Sequence, residues 1–154
     1  MNGKIFTLRN LYQSGTEKLE KAGIREAKLD AWYLLEYKTG ISRAVFLADP
    51  DREVEEEKAE SYQKDICTRA RRIPLQHITG EQEFMGLNFK VNENVLVPRQ
   101  DTEILVEEAL KRIRPDMQIL DMCTGSGCIL ESILKFGEKK QMHLKGTGCD
   151  ISEE

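Results

Sequence analysis

Ile119-Leu-Asp-Met-Cys-Thr-Gly-Ser-Gly-Cys-Ile-Leu130 is the stretch of sequence that decides the fold of the second half of the chain. A short apolar run ends in Asp121, a turn with Gly125 and Gly127 follows, and then come apolar residues typical of a helix start. Glycines in such a turn let backbone amides approach a ligand without obstruction by side chains. A second strand-like run ends at Asp150. The pattern therefore predicts a turn that holds a nucleotide-type cofactor.

The spacing of this turn separates several cofactor classes. A dinucleotide-binding turn would have a third glycine where Leu130 stands, and a Walker loop would continue with Gly-Lys-Ser or Gly-Lys-Thr. S-adenosylmethionine remains, because its ribose hydroxyls need a carboxylate from the neighbouring strand and Asp150 is placed for that role. Two simpler interpretations stay open: the glycines serve packing alone, and Asp150 caps a helix that starts at Ile151 or Ser152.

Composition limits the class of protein. The 154 residues carry 40% apolar and 32% charged residues, a mix that is typical of one or two globular domains. The formal net charge of -4 argues against a surface built to bind nucleic acid. The residues after Met1 contain no apolar run of the kind found in a secretion signal or a membrane span. We therefore expect a cytoplasmic protein. The four cysteines lack metal-type spacing and are expected to be reduced, small, buried side chains.

Residues 1–73 are predicted to form a helical bundle, because apolar residues recur at helical spacing and segment ends carry capping residues. Four helices are expected, which begin at Thr7, near Glu26, at Ser42 and near Glu53 and extend to about Ile73. The last of these helices ends in Arg69, Arg71 and Arg72. We interpret these arginines as complements to the helix dipole, with the docking of an acidic partner as the alternative.

Residues 74–97 are predicted to form a β-hairpin linker. Phe84 precedes a Met85-Gly86 turn, and Leu87, Phe89 and Val91 then alternate with polar residues. Residues 98–154 are predicted to begin an α/β domain. It opens with a helix that carries Ile104, Leu105, Ala109, Leu110 and Ile113 and ends at Pro115, and it continues as strand, turn, helix and strand, with Gly137 as a helix stop.

Four segments in this order resemble the HemK/PrmC family of protein-(glutamine-N5) methyltransferases, which modify peptide chain release factors. These are Pro74-Leu-Gln-His-Ile-Thr-Gly80, Glu83-Phe-Met-Gly-Leu-Asn-Phe89, Val95-Leu-Val-Pro-Arg-Gln-Asp-Thr-Glu103 and Ile119-Leu-Asp-Met-Cys-Thr-Gly-Ser-Gly127. The resemblance implies an α+β chain in two parts: a helical bundle that docks the release factor and, after the hairpin, the truncated start of a Rossmann-like methyltransferase domain.

The resemblance also implies roles for individual residues. S-adenosylmethionine would be held by the turn formed by Cys123, Thr124, Gly125, Ser126 and Gly127, and its ribose by Asp150. Arg99, Thr102 and Glu103, with Pro98, would line or brace the same pocket. A helix cap at Thr102 and a dipole-compatible acid at Glu103 are the simpler alternative for these two residues.

The chain departs from the family pattern in three places. Cys123 stands where the family has the first glycine of the turn, a change we expect to be tolerated only if that position needs no positive φ. Gln100-Asp101 replaces the usual Pro-Glu, and His77 replaces the usual tyrosine. None of these changes removes a group assigned to binding.

The family's catalytic Asn-Pro-Pro-Tyr motif does not occur in the chain, which has no Asn-Pro at all. In the family this motif positions the substrate amide, a poor nucleophile, so we expect no turnover from these residues alone and interpret the chain as the N-terminal part of an enzyme. Two alternatives stay open: a fragment of a DNA or RNA amino-methyltransferase, and a non-catalytic module that binds a partner. The acidic composition disfavours direct contact with nucleic acid.

Overall fold

The computed structural model describes residues 5–152, and the chain divides into two compact units between Thr79 and Gly80. Within the described residues there are seven α-helices and six short strands. The prediction of a mixed α and β chain is therefore confirmed. The finer division into residues 1–73, 74–97 and 98–154 stays a prediction.

The first unit is mainly helical. Its helices are α1 (Leu8–Lys21), α2 (Ala27–Thr39), α3 (Arg43–Ala48), α4 (Glu56–Ala70) and α5 (Leu75–Thr79). The Thr7 Oγ1 accepts a hydrogen bond from the Asn10 amide at 3.3 Å, and the Ser42 Oγ accepts one from the Val45 amide at 3.5 Å. Both side chains thus cap the helices that the sequence assigned to them.

Two short strands were not expected in this unit. β1 (Phe6–Thr7) pairs antiparallel with β2 (Glu53–Val54), so the prediction of an entirely helical segment is wrong here, and α4 begins at Glu56 rather than near Glu53. Two residues are too few to show the alternation that identifies a strand in a sequence.

Helix α5 lies at the start of the segment predicted as a hairpin linker. Residues 74–79 were placed in a hairpin linker, but Leu75 and Ile78 pack against the core of the first unit. The Tyr37 hydroxyl also donates a hydrogen bond to the Thr79 carbonyl at 3.2 Å. These contacts stabilise one extra helical turn after Pro74, a residue that is well tolerated at a helix start.

The core of the first unit is built around Tyr62, whose side chain is fully buried. Its hydroxyl donates a hydrogen bond to the Ala31 carbonyl at 3.3 Å, which satisfies the polar end of the ring. Helix α1 comes close to this ring at Gly15, where an added Cβ would collide with the Tyr62 hydroxyl. A glycine is therefore required for the contact between α1 and α4.

The arginines at the end of α4 bind within the first unit. Arg69 forms an ion pair with Asp30 at 2.7 Å between Nε and Oδ2, and the two side chains are only 19% and 11% exposed. Arg72 donates to the Ala22 carbonyl at 3.3 Å, and Arg71 donates to the Thr68 hydroxyl at 3.5 Å. Internal contacts thus account for all three residues.

The second unit opens with the hairpin that the sequence predicted. β3 (Glu81–Phe84) pairs antiparallel with β4 (Leu87–Lys90). The two turn residues between them, Met85 and Gly86, have φ values of 54° and 72°. Two positive φ values in a two-residue turn match a type I′ hairpin, whose twist fits that of the strands.

A 3-10 turn (Gln100–Thr102) leads into α6 (Glu103–Leu110). The prediction of which residues form the buried face of α6 is partly wrong. Ile104 and Leu105 are 62% and 55% exposed, whereas Val106 is fully buried. Ala109, Leu110 and Ile113 pack with Val106 as expected, at the helical spacing of three to four residues. The helix ends at Leu110, before Pro115.

The chain then forms β5 (Gln118–Met122), α7 (Cys128–Lys139) and β6 (Lys145–Cys149), and β5 and β6 are parallel. The prediction that Gly137 stops the helix is wrong, because Gly137 lies inside α7 and is buried against Leu144. The helix ends two residues later, where the amides of Lys140 and Met142 both bind the Gly137 carbonyl. Gly137 thus permits close packing of the helix on the segment before β6.

Candidate cofactor site

The parallel register of β5 and β6 brings the two predicted parts of the site together. Asp121 lies opposite Gly148 and Met122 opposite Cys149, so both strands end at the same edge. The turn at residues 123–127 and Asp150 leave the sheet at that edge. Ligands of parallel α/β sheets bind at this edge, beyond the carboxyl ends of the strands.

Three hydrogen bonds hold Thr124 at the base of the turn. Its amide donates to the Cys149 carbonyl at 3.0 Å, and its hydroxyl donates to the Asp121 carboxylate at 2.8 Å. Its carbonyl accepts from the Gly127 amide at 2.9 Å. This role of Asp121 was not predicted from the sequence; the only local signal is the spacing of three residues between the acid and the threonine.

Glycines in β6 make room for the turn and for α7. A Cβ on Gly148 would lie 3.0–3.2 Å from three atoms of the Thr124 side chain. A Cβ on Gly146 would lie 2.8 Å from Leu130 and from Leu134. Neither glycine was predicted as part of the site, since their packing partners depend on a strand register that no local pattern reveals.

Asp150 is bound to the turn. Its Oδ2 accepts a hydrogen bond from the Gly125 amide at 2.8 Å, and its Oδ1 accepts one from the Ser152 amide at 3.1 Å. The Ser152 amide and then the Gly125 amide hold the pKa of Asp150 below its ordinary value. The contact with Ser152 is local, two residues along the chain, and the contact with Gly125 joins the carboxylate to the predicted cofactor turn.

Cys123 has a φ of 60°, in the left-handed region. The condition under which we expected a cysteine to be tolerated, that this position needs no positive φ, is therefore not met, because the chain turns sharply there to leave β5. Side chains with a Cβ are strained in this region by about 1–2 kcal/mol. The cysteine occupies a position that favours glycine.

The second group of predicted residues lies around the start of α6. Arg99 is exposed, and Thr102 makes no capping hydrogen bond with its side chain, so the simpler alternative of a helix cap at Thr102 is wrong. The Glu103 Oε1 accepts a hydrogen bond from the Met85 amide at 2.8 Å. Glu103 thereby braces the hairpin turn.

The cysteines differ in their surroundings, and all four are free thiols. Cys128 is buried, and this burial raises its pKa. Cys67 and Cys123 are exposed and Cys149 is partly buried, so the expectation of small buried side chains holds for Cys128 only. Among residues 5–152, no group of three or more metal-ligating side chains comes together. In the same range, no helix is long and apolar enough to cross a membrane.

Comparison with known proteins defines the class of the first unit. Residues 10–80 match the family model of the PrmC N-terminal domain. Three similar proteins are release factor glutamine methyltransferases. The protein of Clostridium botulinum is 42% identical over 124 residues, 79% of this chain and 44% of the relative. That of Geobacter sulfurreducens is 37% identical over 132 residues, with coverages of 86% and 46%.

The third protein, from Caulobacter vibrioides, is 36% identical over 150 residues, 96% of this chain and 50% of the relative. The chain spans about half the length of the curated relatives it matches. Its first unit matches the PrmC N-terminal domain, and over most of its length the chain resembles the family of release factor glutamine methyltransferases.

Proposed function

We propose that this protein takes part in the methylation of a glutamine side-chain amide nitrogen in peptide chain release factors, with S-adenosylmethionine as the methyl donor. The observation that carries the proposal is the 2.8 Å hydrogen bond between the Gly125 amide and Asp150, at the carboxyl edge of a parallel strand pair. Resemblance to the family supplies the substrate class.

The residues at this edge fit the proposed cofactor. A Cβ at Gly125 would meet no atom within 4 Å, so the space in front of the turn is open. Each carboxylate oxygen of Asp150 accepts one hydrogen bond from the protein and retains a free lone pair, and a carboxylate can accept about four bonds in all. We assign the ribose hydroxyls to Asp150 and the methionine part to the turn formed by residues 123–127.

S-adenosylmethionine, when bound, would supply a methyl group on a positively charged sulfur. The protein's own contribution at this edge is to fix the turn through Asp121 and Thr124 and to keep Asp150 ionised. Arg99, Thr102 and Glu103 stay assigned to the border of the pocket. The β5–α7–β6 arrangement supports a Rossmann-like domain.

We further propose that the helical first unit docks the release factor and that the protein acts in the cytoplasm. The 154 residues contain no Asn-Pro-Pro-Tyr, so no side chain is assigned to position the substrate amide. We therefore infer that these residues alone do not complete the reaction. A methyl-transfer assay with release factor tests this inference, and turnover by the 154-residue chain would contradict it.

Calorimetric titration with S-adenosylmethionine tests the site. We expect binding by the natural chain and a loss of at least about tenfold in affinity for Asp150→Ala, because the charge-assisted bonds to the ribose disappear. The control Glu107→Gln removes an exposed carboxylate on α6 and should bind normally. Equal affinity of all three proteins would refute the assignment of Asp150. Methylation of oligonucleotides but not release factor, by a longer form of the protein, would refute the substrate class.

A further inference from the structure

An open cleft of about 740 Å³ lies in the first unit, where the end of α1 and the start of α2 meet α3. Its walls combine aromatic, aliphatic and charged side chains, among them Leu29, Trp32, Tyr33 and Arg43. It is lined entirely by residues 12–43. The proposed cofactor chemistry uses none of them.

Three aromatic rings hold the guanidinium group of Arg43 in this cleft. The group lies 4.6 Å from the centroid of the Trp32 ring and 5.8 Å from those of Tyr12 and Phe46. The rings are themselves fixed, since Phe46 packs at 5.2 Å from Trp32 and 5.4 Å from Tyr12. Stacking on aromatic rings leaves the edge of a guanidinium free to donate paired hydrogen bonds.

The cleft wall carries three cations, and Arg25 pairs with Glu26 at 4.0 Å. Among residues 5–152, no carboxylate forms an ion pair with Arg43 or with Lys28, a second residue of the cleft wall. Elsewhere in the same unit, Arg69 and Lys38 have close acidic partners at 2.7 and 2.9 Å. Arg43 thus keeps its donors for another carboxylate.

Apolar surface lies beside these cations. Leu29 and Tyr33 are four residues apart on α2, each 46% exposed, and both line the cleft. Residues four apart lie on one face of a helix, so the two side chains form a continuous apolar strip. Tyrosine and arginine at a concave surface are typical of the residues that dominate binding energy in protein interfaces.

We propose that this cleft binds an acidic peptide segment, with a carboxylate on the Arg43 guanidinium and an adjacent apolar side chain against Leu29 and Tyr33. Two acids of the wall, Glu20 and Glu26, disfavour a polyanion such as nucleic acid, and the charge of Lys28 adds to the attraction of a short acidic segment. The chemistry of the segment follows from the cleft itself. Only its assignment to the release factor rests on the proposed function.

The single tryptophan of the chain, Trp32, reports on the cleft through its fluorescence. The probes are a synthetic peptide with two glutamates beside a leucine, the same peptide with glutamines instead, and intact release factor. We expect the acidic peptide to bind more tightly at low salt. We also expect Arg43→Gln or Lys28→Gln to weaken it about tenfold, as for a lost charge-assisted bond. The matched control is Arg52→Gln, which removes an exposed charge outside the cleft.

The outcomes separate this proposal from the proposed function. Equal binding of the acidic and glutamine peptides, or equal weakening by Arg52→Gln, would overturn the assignment of the cleft. Release factor that binds normally to both cleft variants would overturn its assignment as the source of the acidic segment, while the proposed function would stand. Binding of the acidic peptide with its dependence on Arg43, in the absence of any release-factor binding, would support the cleft and contradict the proposed function. A circular dichroism spectrum that each substitution leaves unchanged shows that the variants are folded.

Discussion

The Gly125 amide and the Asp150 carboxylate are joined by a 2.8 Å hydrogen bond across 25 positions of sequence. This bond links the turn after β5 to the end of β6. A group assigned to a ligand therefore already orders the turn before any ligand is bound. Preorganisation of this kind reduces the entropy that binding must overcome.

Asp150→Ala should loosen the turn even without cofactor, because the Gly125 and Ser152 amides lose their shared acceptor. We expect faster hydrogen exchange at the Gly125 amide, measured by NMR. Asp150→Asn should retain part of the protection, since its amide oxygen can still accept one of the two bonds. Unchanged exchange in Asp150→Ala would show that the turn is ordered by Thr124 alone.

Cys123→Gly should relieve backbone strain, because Cys123 has a φ of 60°. We expect this variant to be more stable than Cys123→Ala by about 1 kcal/mol, the opposite of the usual order of these residues. Urea unfolding of the two variants measures the difference. The same pair at Cys149, inside β6, should show alanine as the more stable residue; the same order at both positions would contradict the strain at Cys123.

Gly15→Ala should destabilise the helical unit by about 1–3 kcal/mol, the range for an overpacked core. The added methyl group would collide with the Tyr62 hydroxyl and approach the Ile66 side chain at 3.1 Å. Thermal unfolding measures the loss. Tyr62→Phe should partly rescue Gly15→Ala by removing the closest atom, whereas Gln13→Ala, on the exposed side of α1, should have little effect.

Asp30→Ala should cost about 3 kcal/mol of unfolding free energy, because it leaves the largely buried Arg69 without its acidic partner. The control is the exposed ion pair between Arg9 Nε and Asp51 Oδ1, which are 2.8 Å apart. Asp51→Ala should change the free energy of unfolding little. Denaturant unfolding distinguishes the two. A similar loss for both substitutions would mean that burial does not decide the strength of these pairs.

Alkaline pH should unfold the first unit through Tyr62. Burial raises the pKa of Tyr62 above its ordinary value, so this residue supports folding fully below about pH 10 and progressively less above it, where the unfolded chain ionises. Tyr62→Phe should flatten the decline in stability above about pH 10. Tyr33→Phe, which changes an exposed ring, should leave the loss of stability with rising pH unchanged.

The sequence predicted the elements whose signals are local. Helices α1 and α3 begin at Thr7 and Ser42 because a hydroxyl before an apolar helical pattern caps it, and the hairpin turn forms at Met85-Gly86 because strands alternate on either side. In helix α6 the local pattern did not identify the buried face. Its eight residues contain apolar side chains in most directions, so periodicity did not choose Val106 over Ile104 for burial.

In the candidate site, too, local features were predicted and features that depend on strand alignment were not. Gly125 and Gly127 follow from the local motif, and both have positive φ values. The bond from Thr124 to Cys149 and the clearance at Gly148 depend on how two strands align, which is set by packing across the sheet. The family's glycine raised the question of a positive φ at Cys123, but the sequence did not answer it, because a cysteine carries no signal for left-handed backbone.

The hydrogen bond from the Met85 amide to Glu103 closes a loop between residues 18 positions apart. Because the entropic cost of loop closure rises only with the logarithm of loop length, this bond joins the two ends of the loop at small entropic cost. That loop includes Arg99 and Thr102, which have few anchors of their own. The Glu103 carboxylate, expected to border a ligand, thus fastens the hairpin turn to the start of α6. Loss of this bond would free the hairpin and the segment that leads into α6 together.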